Sequence, residues 1–201
     1  MSSVKTFLRT NALTLAIVAS VSTPAFARDT VVGLSPHQEA SVLQVQLEAT
    51  IQHLLQPMEA GETAHFVDAA KLRLIGTFVV PEGSAYERPR ARLNANSQLL
   101  GRVRAFLGSA SPNPANPGLI DFPGLLGFVG ENSPTEDGAD LIVFGSWLYQ
   151  NPLAPRLDMR DGRVPEDGYV SASVAVSPLG TRGLSGSLKG YDVYFGLTGE
   201  D

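Results

Sequence analysis

Cysteine is absent from all 201 residues. That excludes disulfides, thiolate metal sites and thiol nucleophiles, so stability has to come from burial alone. Histidine is scarce, at 3 residues, and His37, His53 and His65 show none of the close spacings that metal ligands share. Their default reading is as surface or hydrogen-bonded core side chains. Cations are outnumbered, 15 Lys and Arg against 20 Asp and Glu, for a formal net charge of -5. Phosphate backbones need clustered Lys and Arg, so nucleic acid is not an expected partner. Arg88, Arg90, Arg92, Arg102 and Arg104 are the one basic cluster, and a solvated loop and helix face accounts for them. No run of apolar residues beyond the N-terminus is long enough to span a bilayer.

The N-terminus itself has a recognisable pattern. Lys5 and Arg9 precede an apolar run at residues 12–21, and Pro24, Ala25, Phe26 and Ala27 end in a small-x-small cleavage pattern. The run is short for a membrane anchor, so residues 1–27 are expected to be a cleaved signal peptide and residues 28–201 one periplasmic or secreted domain. Cleavage removes two cations and no acids, leaving the mature chain more negative still.

From residue 31 the chain reads as a strand, a tight turn and a helix. Val31 and Val32 form a short apolar strand, and Gly33, Leu34 and Ser35 make the exit. Ser35 as N-cap, Pro36 in the first turn and Gln38 in a capping box predict a helix beginning there. Leu43, Leu47, Ile51 and Leu54 recur at spacings of three and four, sharing one face, and Pro57 stops the helix.

Two short β-type runs follow, at residues 63–68 and 72–80, too close together for a crossover helix, which predicts an antiparallel hairpin. Residues 82–92 read as a charged loop. Asn94 or Asn96 caps a second helix with Leu99, Val103, Phe106 and Leu107 buried, and Gly108 supplies the left-handed residue beyond its end. Residues 109–118 are irregular and rich in Pro and Asn. Residues 119–130 form a short helix or a packed loop, acting as a lid over the sheet or as a binding loop.

Leu141, Ile142, Val143 and Phe144 are a continuous apolar run, as expected of a strand covered on both faces, with Gly145 and Ser146 at its exit. Asp161-Gly162 and Asp167-Gly168 read as turns, residues 169–176 as a half-exposed strand and residues 191–197 as a last strand. The fold class is therefore α/β: a doubly wound, mostly parallel sheet with one antiparallel edge hairpin and helices on both faces. A last parallel strand needs cover, and no helix follows residue 197, so either residues 119–130 cover it or the domain is a form shortened at the C-terminus.

This order of strand, helix, hairpin, helix and buried strand, over roughly residues 30–149, resembles the von Willebrand factor A-like domain; a flavodoxin-like or other doubly wound domain is the alternative. The family's first strand ends in Asp-x-Ser-x-Ser, part of a metal site completed by a Thr and an Asp from later loops. Here Gly33 stands at the first Asp, Ser35 at the first Ser and His37 at the second Ser, and Gly145-Ser146 stands where the later Asp would be. A hard divalent cation needs carboxylate oxygens, so the resemblance implies the fold without a working metal site, and no cofactor.

The implied function is a non-catalytic binding or scaffolding module of the bacterial cell envelope, its partner another envelope or extracellular protein. Open α/β sheets bind at the carboxyl ends of their strands, which nominates Ser35, His37, Arg88, Arg90, Ser146, Trp147 and Tyr149 as a binding edge. Core packing is the plainer role for Trp147 and Tyr149. Two other readings stand beside this one. A serine hydrolase would use Ser35 at a strand-to-helix elbow, but His37 replaces the last Gly of Gly-x-Ser-x-Gly and Pro36 lacks the N–H that an oxyanion needs. A calcium-dependent adhesion domain would use Asp158, Asp161, Glu166 and Asp167, whose spacing does not form a calcium loop and which read as solvated turn residues.

Overall fold

The computed structural model describes residues 29–55, 58–115, 117–132, 138–146, 148, 157–159, 168, 177 and 189–196. The signal-peptide reading of residues 1–27, Pro57, Trp147, Tyr149, Asp161, Gly162, Glu166, Asp167 and the strand at residues 169–176 all lie outside them.

Five strands and four α-helices are described: β1 (Asp29–Leu34), α1 (Ala40–Leu55), β2 (Thr63–Asp68), β3 (Arg73–Val79), α2 (Pro89–Ala95), α3 (Ser97–Ser109), α4 (Phe122–Asn132), β4 (Ala139–Phe144) and β5 (Tyr191–Gly196). The strands make one mixed sheet in the order β3-β2-β1-β4-β5. Parallel pairing joins β1 to β2, β1 to β4 and β4 to β5, while β2 and β3 form the expected antiparallel hairpin at one edge. Val31 sits opposite Leu141 and Val32 opposite Ile142, so the two most apolar strands are neighbours running the same way.

Alternation along the strands divides the core in two. Val32, Leu34, Phe66 and Phe78 pack with Leu43, Leu47 and Leu54 of α1 and with Leu99, Val103 and Phe106 of α3. Val31, Val67, Leu141 and Val143 pack with Leu125 and Val129 of α4. The α1 stripe therefore buries as its spacing predicts. Residues 119–130 resolve toward helix: Asp121 Oδ1 accepts the Gly124 N–H at 3.0 Å, closing the first turn of α4, where Pro123 needs no donor. Cover for β5 comes from the same helix, with the Phe122 and Phe195 rings 5.6 Å apart.

Four local expectations are corrected. α1 begins at Ala40, not beside Ser35, although the Ser35 hydroxyl still accepts the His37 N–H at 3.1 Å while donating to the Leu119 carbonyl. Residues 82–92 are not all loop: a short 3-10 turn (Ser84–Tyr86) precedes α2, which starts at Pro89 after an extended Arg88. Gly108 lies inside α3, whose end is an extended Ala110 bonding back to the Leu107 carbonyl, with no left-handed residue there. Asn96 precedes α3 but makes no side-chain cap on it. Its amide pairs instead with Val79 on the outer side of β3, accepting from the N–H at 2.9 Å and donating to the carbonyl at 2.8 Å. A side-chain amide thus stands in for the missing neighbour of an edge strand.

The hairpin carries a bulge. Phe66 pairs with Gly76 and Val67 with Leu74, so Ile75 has no opposite residue. Ile75 turns toward the α1 and α3 side. Gly76 is open for a physical reason, since a Cβ there would lie 2.8 Å from Leu99 Cδ1 of α3.

Candidate functional site

In an open α/β sheet the ligand crevice lies where the strand order reverses, outside the carboxyl ends of the strands on either side. The reversal here falls between β1, which leads to β2, and β4, on its other flank. The two strand exits meet there: the Ser35 N–H donates to the Phe144 carbonyl at 2.9 Å.

The crevice between them is filled by the chain itself. The buried Ser35 hydroxyl donates to the Leu119 carbonyl at 2.7 Å and accepts the His37 N–H at 3.1 Å. Gly118 N–H donates to the His37 carbonyl at 3.1 Å, and Ser146 N–H donates to the Gly118 carbonyl at 2.7 Å. Leu119 and Ser146 pair as an isolated parallel bridge. Further back, Ser111 N–H donates to the Pro36 carbonyl at 2.9 Å. Residues 111 and 118 thus tie the intervening stretch across the β1–α1 turn.

Two glycines make this close approach possible. Gly118 has φ +68°, and a Cβ on it would lie 3.1 Å from the Ser146 nitrogen. Gly145 has φ +153°, and a Cβ on it would meet the Gly118 carbonyl oxygen at 2.7 Å and Ile120 Cγ2 at 2.6 Å. Gly33, which takes the place of the family's first Asp, faces α4: a Cβ on it would lie 3.0 Å from Leu125 Cδ2.

The nominated residues separate into three groups. Ser35, His37 and Ser146 come together at this rim, with Ser35 and Ser146 buried and His37 half-buried at the surface. Arg88 and Arg90 stand at the other end of the sheet. Because β3 runs antiparallel, Val79 lies beside Thr63 at the start of β2, and the segment after it is held there by Arg92, whose Nη1 donates to the Met58 carbonyl at 2.8 Å. Trp147 and Tyr149 lie outside the described residues.

Ser35 is unsuited to nucleophilic attack. Its proton is given to a carbonyl, its oxygen receives a backbone N–H, and it has no exposed surface. Among the described residues no group of three or more His, Asp or Glu is gathered closely enough to hold a metal ion. Asp158, read as a solvated turn residue, is buried and has a partner, as an acid taken out of water requires.

His53 falls within α1. His65 lies in β2, in hydrogen-bond contact with Thr63 and Thr77 and away from the rim. Sequence reasoning did not find Gly118 and Leu119 as rim components; Gly118, after Pro117 in a stretch rich in Pro and Asn, was their one available signal. It also missed Gln38 as a buried rim residue, whose Oε1 has no hydrogen-bond partner among the described residues.

Fold and site together define an α/β domain with a mixed five-stranded sheet whose strand-end crevice is closed by its own backbone. No family model, curated protein or solved structure matches the chain.

Proposed function

We propose that this chain is an exported, doubly wound domain of the von Willebrand A-like kind, lacking a working metal site and acting as a protein-binding module of the bacterial envelope. One observation carries the reading: residues 118 and 119 occupy the crevice that would otherwise admit a small substrate, and the buried Ser35 hydroxyl beneath is consumed by backbone partners. A closed crevice favours recognition on its outer surface over turnover within it. The strand order supports the fold reading, with an antiparallel β3 at the edge between the first two helical segments and β4 on the far flank of β1. The family's acidic positions are Gly33 and Gly145-Ser146 here, so the oxygen ligands a hard cation needs are not supplied.

The recognition surface is the half-buried Pro36 and His37 together with Pro112, Pro114 and Pro117, all exposed, in the stretch tied across them. Prolines lose little conformational freedom on binding, which suits a contact surface. Arg88 and Arg90, at the opposite rim, do not belong to it.

A photo-crosslinking residue placed at His37, with one at Arg88 for comparison, tests this in the native envelope. The expected result is a discrete protein adduct at position 37, none at position 88, and a mature N-terminus at Arg28. Adducts at position 88 alone, or at neither position, overturn the assignment. A rise in melting temperature on adding calcium would favour the adhesion-domain reading, since a ligand specific to the folded state must stabilise it.

A further inference from the structure

A second site lies on the α4 side of the hairpin, independent of the rim. His65 and Thr77 face one another across β2 and β3. Thr77 Oγ1 is 3.0 Å from His65 Nδ1, and His65 Nε2 is 3.3 Å from Thr63 Oγ1. Thr63 Oγ1 in turn donates to Asp29 Oδ1 at 2.7 Å.

The direction of this chain follows from its last link. A hydroxyl has one proton, and that of Thr63 is given to Asp29, so toward His65 the Thr63 oxygen acts as an acceptor. In its neutral form the ring therefore carries its proton on Nε2, leaving Nδ1 to accept from Thr77. Every proton points from the hairpin toward Asp29. Thr77 Oγ1 is left with lone pairs only.

Thr77 and His65 line a groove of about 200 Å³ between the hairpin and α4. Its walls are Val31, Val67, Leu74, Phe128 and Val129, and Leu74 is 48% exposed there. Asn132 also lines it, giving an amide hydrogen to the Phe128 carbonyl at 2.8 Å. An apolar cavity of about 150 Å³ is known to hold benzene, so this groove has room for one ring with a small substituent.

We propose that the groove binds a small, neutral, one-ring molecule carrying an O–H or N–H donor, with Thr77 Oγ1 accepting that proton. His65 is a positioning residue in this scheme: by taking the Thr77 hydrogen it turns an ambivalent hydroxyl into an acceptor. The walls supply affinity, and the ordered oxygen supplies the choice of a donor over a ligand without one.

The test is NMR on the full chain, with phenol and its methyl ether, anisole, as probes of nearly equal shape. The His65 ring nitrogens are expected to show the proton on Nε2. Phenol is expected to shift the His65 and Val129 resonances saturably and to bind about tenfold more tightly than anisole, the ether having no donor for Thr77. Thr77→Val removes that preference and Thr77→Ser keeps it. Failure of phenol to saturate, equal affinity for the two probes, an Nδ1-protonated ring, or a preference that survives in Thr77→Val each overturn the proposal. Should Thr77→Val not fold, the comparison of phenol with anisole on the unmodified chain decides the matter. None of these outcomes bears on crosslinking at His37.

Discussion

One substitution made at three glycines separates close backbone approach from plain helix propensity. Gly145→Ala places a Cβ 2.6 Å from Ile120 Cγ2, 2.7 Å from the Gly118 carbonyl oxygen and 3.0 Å from Ser35 Cβ, on a backbone with φ +153°. The carbonyl cannot retreat freely, because the Ser146 N–H holds it at 2.7 Å. Strain at such a φ costs about 1–3 kcal/mol, and overpacking costs about 1–3 kcal/mol more. The expected loss is therefore roughly 2–6 kcal/mol. Gly101→Ala and Gly108→Ala in α3 meet nothing within 4 Å and sit on exposed helix surface. Each is expected to gain about 0.5–1 kcal/mol, the cost of glycine relative to alanine inside a helix. Urea denaturation at constant m-value reads all three, and each kcal/mol moves the melting temperature by about 2–4 °C in a domain of this size. A Gly145→Ala variant within about 0.5 kcal/mol of the parent, or a loss at Gly101 or Gly108, would refute the packing described at the rim.

Asn96→Ala leaves the outer N–H and carbonyl of Val79 without their partner, at an expected cost of about 1–3 kcal/mol; hydrogen exchange at the Val79 amide should accelerate more than at Phe78. Ser35→Ala removes two buried hydrogen bonds and should cost about 1–3 kcal/mol in denaturant titration, while a fluorophosphonate probe should fail to label the parent at Ser35. Burial, and secondarily the Asp29 carboxylate, push the Tyr191 phenol above its ordinary value of 10.0. A raised acid favours the neutral folded form, so this contribution is complete below pH 10 and is lost as pH rises through the folded value. Denaturation midpoints taken from pH 9 upward should fall more steeply in the parent than in Tyr191→Phe.

What the sequence made legible was the part of the fold whose physics is periodic. Leu43, Leu47 and Leu54 announce a buried helix face, Leu141 to Phe144 announce a covered strand, and the short gap before residue 72 announces a hairpin; all three hold. Polar residues were read for local roles and then found distant partners. Ser35 and Asn96 both carry the composition of helix caps. Ser35 keeps one local bond, from the His37 N–H, but gives its proton to a carbonyl 84 residues away, and the Asn96 amide bonds β3. A capping motif specifies which atoms need partners, not which partners are nearest once the chain is folded.

The binding edge shows the same asymmetry. Placing Arg88 and Arg90 beside His37 treated every strand exit as lying on one rim, which holds for β1 and β4 but fails for β3. The hairpin was itself correctly read, and its reversed direction sends the following segment to the opposite end of the sheet. The charge cluster and the strand-end rim are consequently two surfaces. A contact at Pro36 and His37 would therefore draw on shape and hydrogen bonds rather than on the Arg88 and Arg90 charges.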